Sequence, residues 1–179
     1  MSGNLFARSL HDLSAAAWFG GSLMGAVGLN GAAGKAKDFR ERTRLSSLGW
    51  KRWAPVQATA FAVHLVSLGP VLWENKTRFA QQDGVMRWTW IKTAITAAGA
   101  GVTLYSGVLG KKVDELASQG APGATEPSPA ASPELKKAQR KLQKLQWCLP
   151  ALAGTVIVLG AKHGEMQRPT NVRRGIKKG

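Results

Sequence analysis

Four stretches of the chain carry apolar residues with almost no formal charge, and blocks of polar and charged residues separate them. A helix needs about 20 such residues to cross the hydrocarbon core of a bilayer. The pattern therefore predicts an all-α membrane protein, a four-transmembrane-helix bundle with a basic amphipathic segment before the fourth helix. The first span, 13–34, reads LSAAAWFGGSLMGAVGLNGAAG and contains no charge. It follows an N-terminal segment, 1–12, and precedes a basic loop, 35–52, whose lysines and arginines oppose their own translocation. A removable leader is therefore not expected, and the helix belongs to the mature protein.

The second span, 53–73, has Trp53 and Trp73 at its two ends, where amphipathic rings settle at the headgroup levels. Pro55 falls in its first turn, where a missing N–H costs little, and Pro70 should loosen the last turn. A short polar loop, 74–87, leads to the third span, 88–110. Lys92 lies one turn inside it, and its long stem lets the ammonium reach the interface. The fourth span, 145–162, contains Pro150, which predicts a bend near the membrane entry.

Between the third and fourth spans, residues 111–144 change character. SQGAPGATEPSPAA has little to bury and reads as a flexible loop. Ser132, Pro133 and Glu134 then supply a hydroxyl cap, a proline for the first helical position and an acid for the positive end of the helix dipole. Beyond them Leu135, Ala138, Leu142 and Leu145 recur on one helical face. Lys136, Lys137, Arg140, Lys141 and Lys144 occupy the rest, a pattern suited to lipid headgroups or to an extension of the fourth helix. A basic C-terminal tail, 163–179, closes the chain.

The formal net charge of +15 points to nucleic acid or to an anionic membrane surface. Its position decides, because the basic groups flank apolar segments instead of gathering on one soluble face with exposed aromatics. The expected partner is a bilayer with anionic headgroups, with another membrane protein as a second candidate; nucleic acid is not expected. Loops 35–52 and 111–144 carry seven Lys and Arg each. The positive-inside tendency then places both loops in the cytoplasm and both termini outside.

Helices in lipid associate where small residues let them approach. Ala17, Gly21, Gly25 and Gly28 fall on or beside one face of the first span, Gly99 and Gly107 mark the third, and Gly160 the fourth. They read as packing positions within the chain. The lone Cys148 sits in an apolar run and reads as a small hydrophobe packed between helices.

Three histidines carry the candidate chemistry. His64 falls in the middle of the second span, where an ionisable group is a functional hypothesis by default; a neutral imidazole bonded to a neighbouring helix is the plainer reading. Alternating helix direction brings His11, Asp12, His163 and Glu165 to one membrane face, and imidazole with carboxylate suits zinc, copper(II) or iron. A bis-histidine haem on His11 and His64 requires the first helix to begin several residues before Leu13. No phosphate-binding glycine loop, HExxH or nucleophile elbow occurs, so no catalytic residue is assigned and no cofactor is called for beyond this metal or haem alternative.

HDLSAAAWFGGSLMGAVGLNGAA (11–33) and LQWCLPALAGTVIVLGAKHGEMQRP (145–169) resemble a group of small, uncharacterised four-helix membrane proteins from actinobacteria. The resemblance extends over most of the chain and implies the four spans, with no activity attached. The opening His11, Trp18, Gly20 and Gly21 also resemble the start of helices in copper-resistance-D-type membrane proteins, which implies metal handling without a ligand role for His11. Together these features predict a non-enzymatic accessory or scaffold subunit of an envelope or membrane complex. A metal- or haem-binding membrane protein and a small transporter are the alternatives.

Overall fold

The structure is a computed structural model that describes residues 5–175. The ends of the expected N-terminal segment and basic tail, 1–4 and 176–179, lie outside the described residues. Among these the elements are helical: α1 (Leu5–Met24), a π turn (Gly25–Leu29), α2 (Asn30–Ala33), α3 (Phe39–Glu74), α4 (Lys76–Gln81), α5 (Val85–Glu115), a short 3-10 turn (Ala117–Gln119), α6 (Pro133–Glu165) and α7 (Pro169–Gly175). α3, α5 and α6 are each long and apolar enough to cross a membrane. α1 falls outside that group because Arg8 and Asp12 dilute its apolar content and the π turn ends its regular winding at Met24.

The helices extend well past the charge-free stretches. α1 begins at Leu5, not Leu13, so Arg8, His11 and Asp12 are helical. α3 begins at Phe39, inside the expected basic loop, because the Asp38 carboxylate accepts from the Arg40 and Glu41 amides and satisfies two donors that a helix start leaves open. Pro55 is therefore interior to α3, as Pro70 is. α6 starts at Pro133 with Ser132 Oγ accepting from the Leu135 amide, as the residues suggested, and runs unbroken through Pro150. The basic amphipathic segment thus continues the fourth apolar stretch.

α5 packs most closely along α6, and α1 packs along both α3 and α6; α3 and α5 touch much less. At one end Leu109 and Val113 of α5 bury Leu135 and Ala138 of α6, with Ala131 from the preceding loop. That loop has no regular structure past Gln119 but is pinned. Ala121 donates to the Phe39 carbonyl, Arg42 donates to that of Pro122, and Gln139 Nε2 donates to those of Gly123 and Ala124. Nearby, Asn30 joins three helices. Its amide nitrogen donates to Gln146 at 3.0 Å, and its oxygen accepts from Ser46 at 2.9 Å and Trp50 at 3.1 Å.

Small residues act as notches for aromatic rings. A methyl group added at Gly21 would overlap the Trp53 indole, one at Gly25 the Trp50 indole, and one at Gly99 the Trp18 indole. Gly160 faces the Lys92 ammonium, and Gly28 faces the side chain of Met24 one turn back. Among the described residues nothing stands within 4 Å of a methyl added at Gly107. Cys148 is exposed on α6, a correction to its expected place between helices: the buried face there is carried by Leu149 and Pro150. Because a Cβ at Gly21 would displace an indole in a close-packed seam, Gly21→Val should cost about 1–3 kcal/mol, read as a lowered unfolding temperature in mild detergent. Gly107→Val should leave that temperature unchanged.

Candidate functional site

The starts of α1 and α5 meet the ends of α3 and α6. Arg8 binds both, donating to Gln167 at 2.9 Å and pairing with Glu74 at 3.7 Å. Gln82 donates to the Met166 carbonyl at 2.8 Å. The turn into α5 depends on Gly84, whose φ of 78° is open to glycine and strained for other residues.

Two turns inside this end, His11 of α1 stacks on His64 of α3 with ring centroids 3.8 Å apart and planes 21° from parallel. Each helix contributes the same four-residue unit, His11-Asp12-Leu13-Ser14 and His64-Leu65-Val66-Ser67. The units run in opposite directions and grip each other reciprocally. His11 Nδ1 lies 3.2 Å from the His64 carbonyl, and His64 Nδ1 lies 3.1 Å from the His11 carbonyl. Ser14 Oγ donates to the His11 carbonyl at 2.9 Å and Ser67 Oγ to that of His64 at 3.1 Å. Each hydroxyl also stands 3.3 Å from the opposite Nδ1.

These contacts fix the tautomers. A carbonyl only accepts, so both Nδ1 atoms carry hydrogen and donate. Lys92 Nζ is 3.1 Å from His11 Nε2, which therefore accepts from the ammonium. All four of His11, Ser14, His64 and Ser67 are buried. His64 is consequently level with His11 and Lys92.

A cavity of about 380 Å³ opens beside the pair. All three histidines line it, as do Asp12, Lys92, Arg8 and Arg78. Arg78 donates from Nη1 to Asn75 at 2.8 Å and from Nε to Gln82 at 3.0 Å. Among the described residues its Nη2 is buried without a partner, as are Nε of Arg8 and Nε2 of His163. Burial, reinforced by the neighbouring Arg8, holds Arg78 below the usual guanidinium range. Arg8, Arg78 and Lys92 thus share a largely apolar chamber with Asp12, and Arg8 is also paired with Glu74 at its rim.

His11, Asp12, His64 and His163 therefore share one cavity, while Glu165 turns away to pair with Arg168 at 3.0 Å. Among the described residues no group of three or more His, Cys, Asp or Glu side chains stands close enough to hold one metal ion. α1 does begin early enough to bring His11 to His64. The pair still does not suit a haem, since an axial bis-histidine site points two imidazoles end-on at an iron between them and these rings lie face to face. The sequence reading missed the paired His-x-x-Ser units, although the spacing is visible twice. It also missed Arg78, which reads as an ordinary loop cation until α4 folds it inward. The five basic residues in the first turns of α6, Lys136, Lys137, Arg140, Lys141 and Lys144, lie at the far end, where Lys141 reaches Tyr105 and Lys137, Arg140 and Lys144 are exposed.

No protein family, curated protein or solved structure matches the chain.

Proposed function

We propose that this chain is a four-span, non-enzymatic accessory protein of a bacterial inner membrane, and that its specific task is to bind an anionic ligand in the cavity beside His11 and His64. One observation carries the reading: Arg8, Arg78 and Lys92 line one chamber in which Asp12 is the one lining carboxylate among the described residues. An anion held there would take the stronger, charge-assisted kind of bond from cationic side chains. A volume of 380 Å³ lies within the roughly 300–1,000 Å³ of small-molecule sites.

α1 serves as the fourth span in this reading. It is sandwiched against α3 and α6, and the polar groups that lower its apolarity face partners: Arg8 meets Glu74 and Gln167, and His11 meets His64 and Lys92. The cavity end carries interfacial anchors. Lys162 Nζ sits 3.3 Å from the Trp88 ring centroid, and Lys76 Nζ 4.0 Å from that of Trp73. The opposite, basic end faces the cytoplasm and its anionic headgroups, and the cavity opens outward.

The stacked histidines support a binding role over a catalytic one, because both Nδ1 hydrogens are engaged in holding α1 to α3. Native mass spectrometry of protein released from mild nonionic detergent tests the proposal. Wild type should retain one small anionic species per chain, and Arg78→Gln with Lys92→Met should lose it while keeping its unfolding temperature. Retention by the double variant at the wild-type level would remove the cavity from the reading.

A further inference from the structure

The two rings of the clasp differ at their second nitrogen. With hydrogen on each Nδ1, Nε2 is the one acceptor left on either ring. That of His11 is spent on the Lys92 ammonium at 3.1 Å. Nε2 of the third histidine, His163, is buried without a partner among the described residues. His64 Nε2 is in neither state: it makes no hydrogen bond among the described residues and is not sealed from the cavity that His64 lines. A proton can join it without breaking the clasp, since Nδ1 still donates to the His11 carbonyl and the His64 carbonyl still accepts from His11 and Ser67. On His11 the same proton would replace the acceptor of the Lys92 bond with a donor facing an ammonium.

Charge is what opposes an imidazolium at His64. Arg8 of α1, Arg78 of α4 and Lys92 of α5 line the same cavity. Against them stands Asp12 of α1, while Glu74 at the end of α3 is paired with Arg8 at 3.7 Å. His11 and His163 are the other titratable groups of the lining. A like charge nearby disfavours the charged form of a group and an opposite charge favours it. An anion in the chamber supplies that opposite charge where burial leaves it least screened.

Resting on the anion-binding reading above, we infer that the cavity takes its anion together with one proton, and that the proton is held on Nε2 of His64. Coupling between two sites is reciprocal, so each ligand raises the affinity for the other. The chemistry is binding alone: a proton from water joins the Nε2 lone pair, imidazole becomes imidazolium, and no other bond forms or breaks. The new N–H also offers the anion a charge-assisted donor. Anion affinity is therefore higher in acid and falls as the pH rises.

Sulfate is the probe, because it stays fully ionised over the range in which histidine titrates and any dependence on pH then belongs to the protein. Titration calorimetry of the full chain in nanodiscs of zwitterionic lipid, at about pH 8 and about pH 5.5, gives the affinity. Repeating it in buffers of different ionisation enthalpy gives the protons taken up per sulfate. Binding should tighten roughly 5- to 150-fold at the lower pH, the usual span of coupling between two ligands. A single proton limits the gain to about tenfold per pH unit, and uptake should never exceed one proton per sulfate. His64→Asn keeps an amide N–H where Nδ1 donates and has nothing in place of Nε2, so it should lose both the gain in acid and the uptake. His163→Gln and Asp12→Asn should keep both. Unfolding temperatures show that the variants fold, and uptake by the wild-type chain is read without any of them.

Saturable sulfate binding of equal affinity at both pH values, with no proton uptake, would overturn the co-binding and leave the anion site standing. Uptake that persists in His64→Asn, or that disappears in His163→Gln or Asp12→Asn, would overturn the assignment of the proton to His64. The absence of saturable sulfate binding by the wild-type chain at either pH would overturn this inference and the anion reading together.

Discussion

Trp18→Ala should lower the stability of the folded protein by about 3–5 kcal/mol, the range for truncating a fully packed aromatic ring. Trp18 is 2% exposed. Its indole meets Phe61 edge-on with centroids 5.3 Å apart, fills the notch at Gly99, and packs on Ala153 and Val156 of α6. It is the side chain at which α1 touches the other three long helices. Apolar lipid also solvates the unfolded helices, so the loss is in shape-matched contact more than in water exclusion. Trp18→Phe should cost much less, because the indole Nε1 has no hydrogen-bond partner to forfeit. Equilibrium unfolding in mixed micelles, followed by tryptophan fluorescence or by trapping of the open state, measures both. A Trp18→Ala protein that unfolds at the wild-type midpoint would contradict this account of how α1 is held.

The second large effect belongs to the histidine clasp. His64→Leu removes the donor to the His11 carbonyl, the ring stacked on His11 and the acceptor-bearing edge that faces the cavity, and should destabilise by about 2 kcal/mol. His11→Leu should do the same and strand the Lys92 ammonium as well. Because the two units hold each other, the losses should not add. A double-mutant cycle should give a coupling of about 1–3 kcal/mol, as for other residues in one network. A coupling near zero would mean that the two rings contribute independently and the reciprocal bonds carry little.

What the sequence could reveal follows from which interactions are local. The charge-free runs within α3, α5 and α6 are local, and those helices are there. So is the cap at Ser132. Hydropathy misplaced the start of the first helix because Arg8, His11 and Asp12 count as polar until Glu74, Gln167, His64 and Lys92 are beside them, and none of those is near in sequence. The same blindness set Trp53 as a helix start: Arg40, Arg42 and Arg44 read as loop, whereas the cap at Asp38 and the grip of Arg42 on the Ala36 and Pro122 carbonyls make them the first turns of α3. The glycines read as packing positions from their spacing along each helix. That tryptophan rings, and not neighbouring backbones, would fill the spaces at Gly21, Gly25 and Gly99 depends on the register between helices, which no window along the chain contains. The expected meeting of the first helix start with the fourth helix end, by contrast, followed from alternating direction, and Arg8 with Gln167 realises it.

The seating of Trp53 at Gly21 and Trp50 at Gly25 has a mechanical corollary. Two bulky knobs dropped into two dimples behave as a pair of detents: α1 cannot slide along α3 by the roughly 5.4 Å of one helical turn unless both rings lift out together. Sliding is therefore blocked where α1 meets α3.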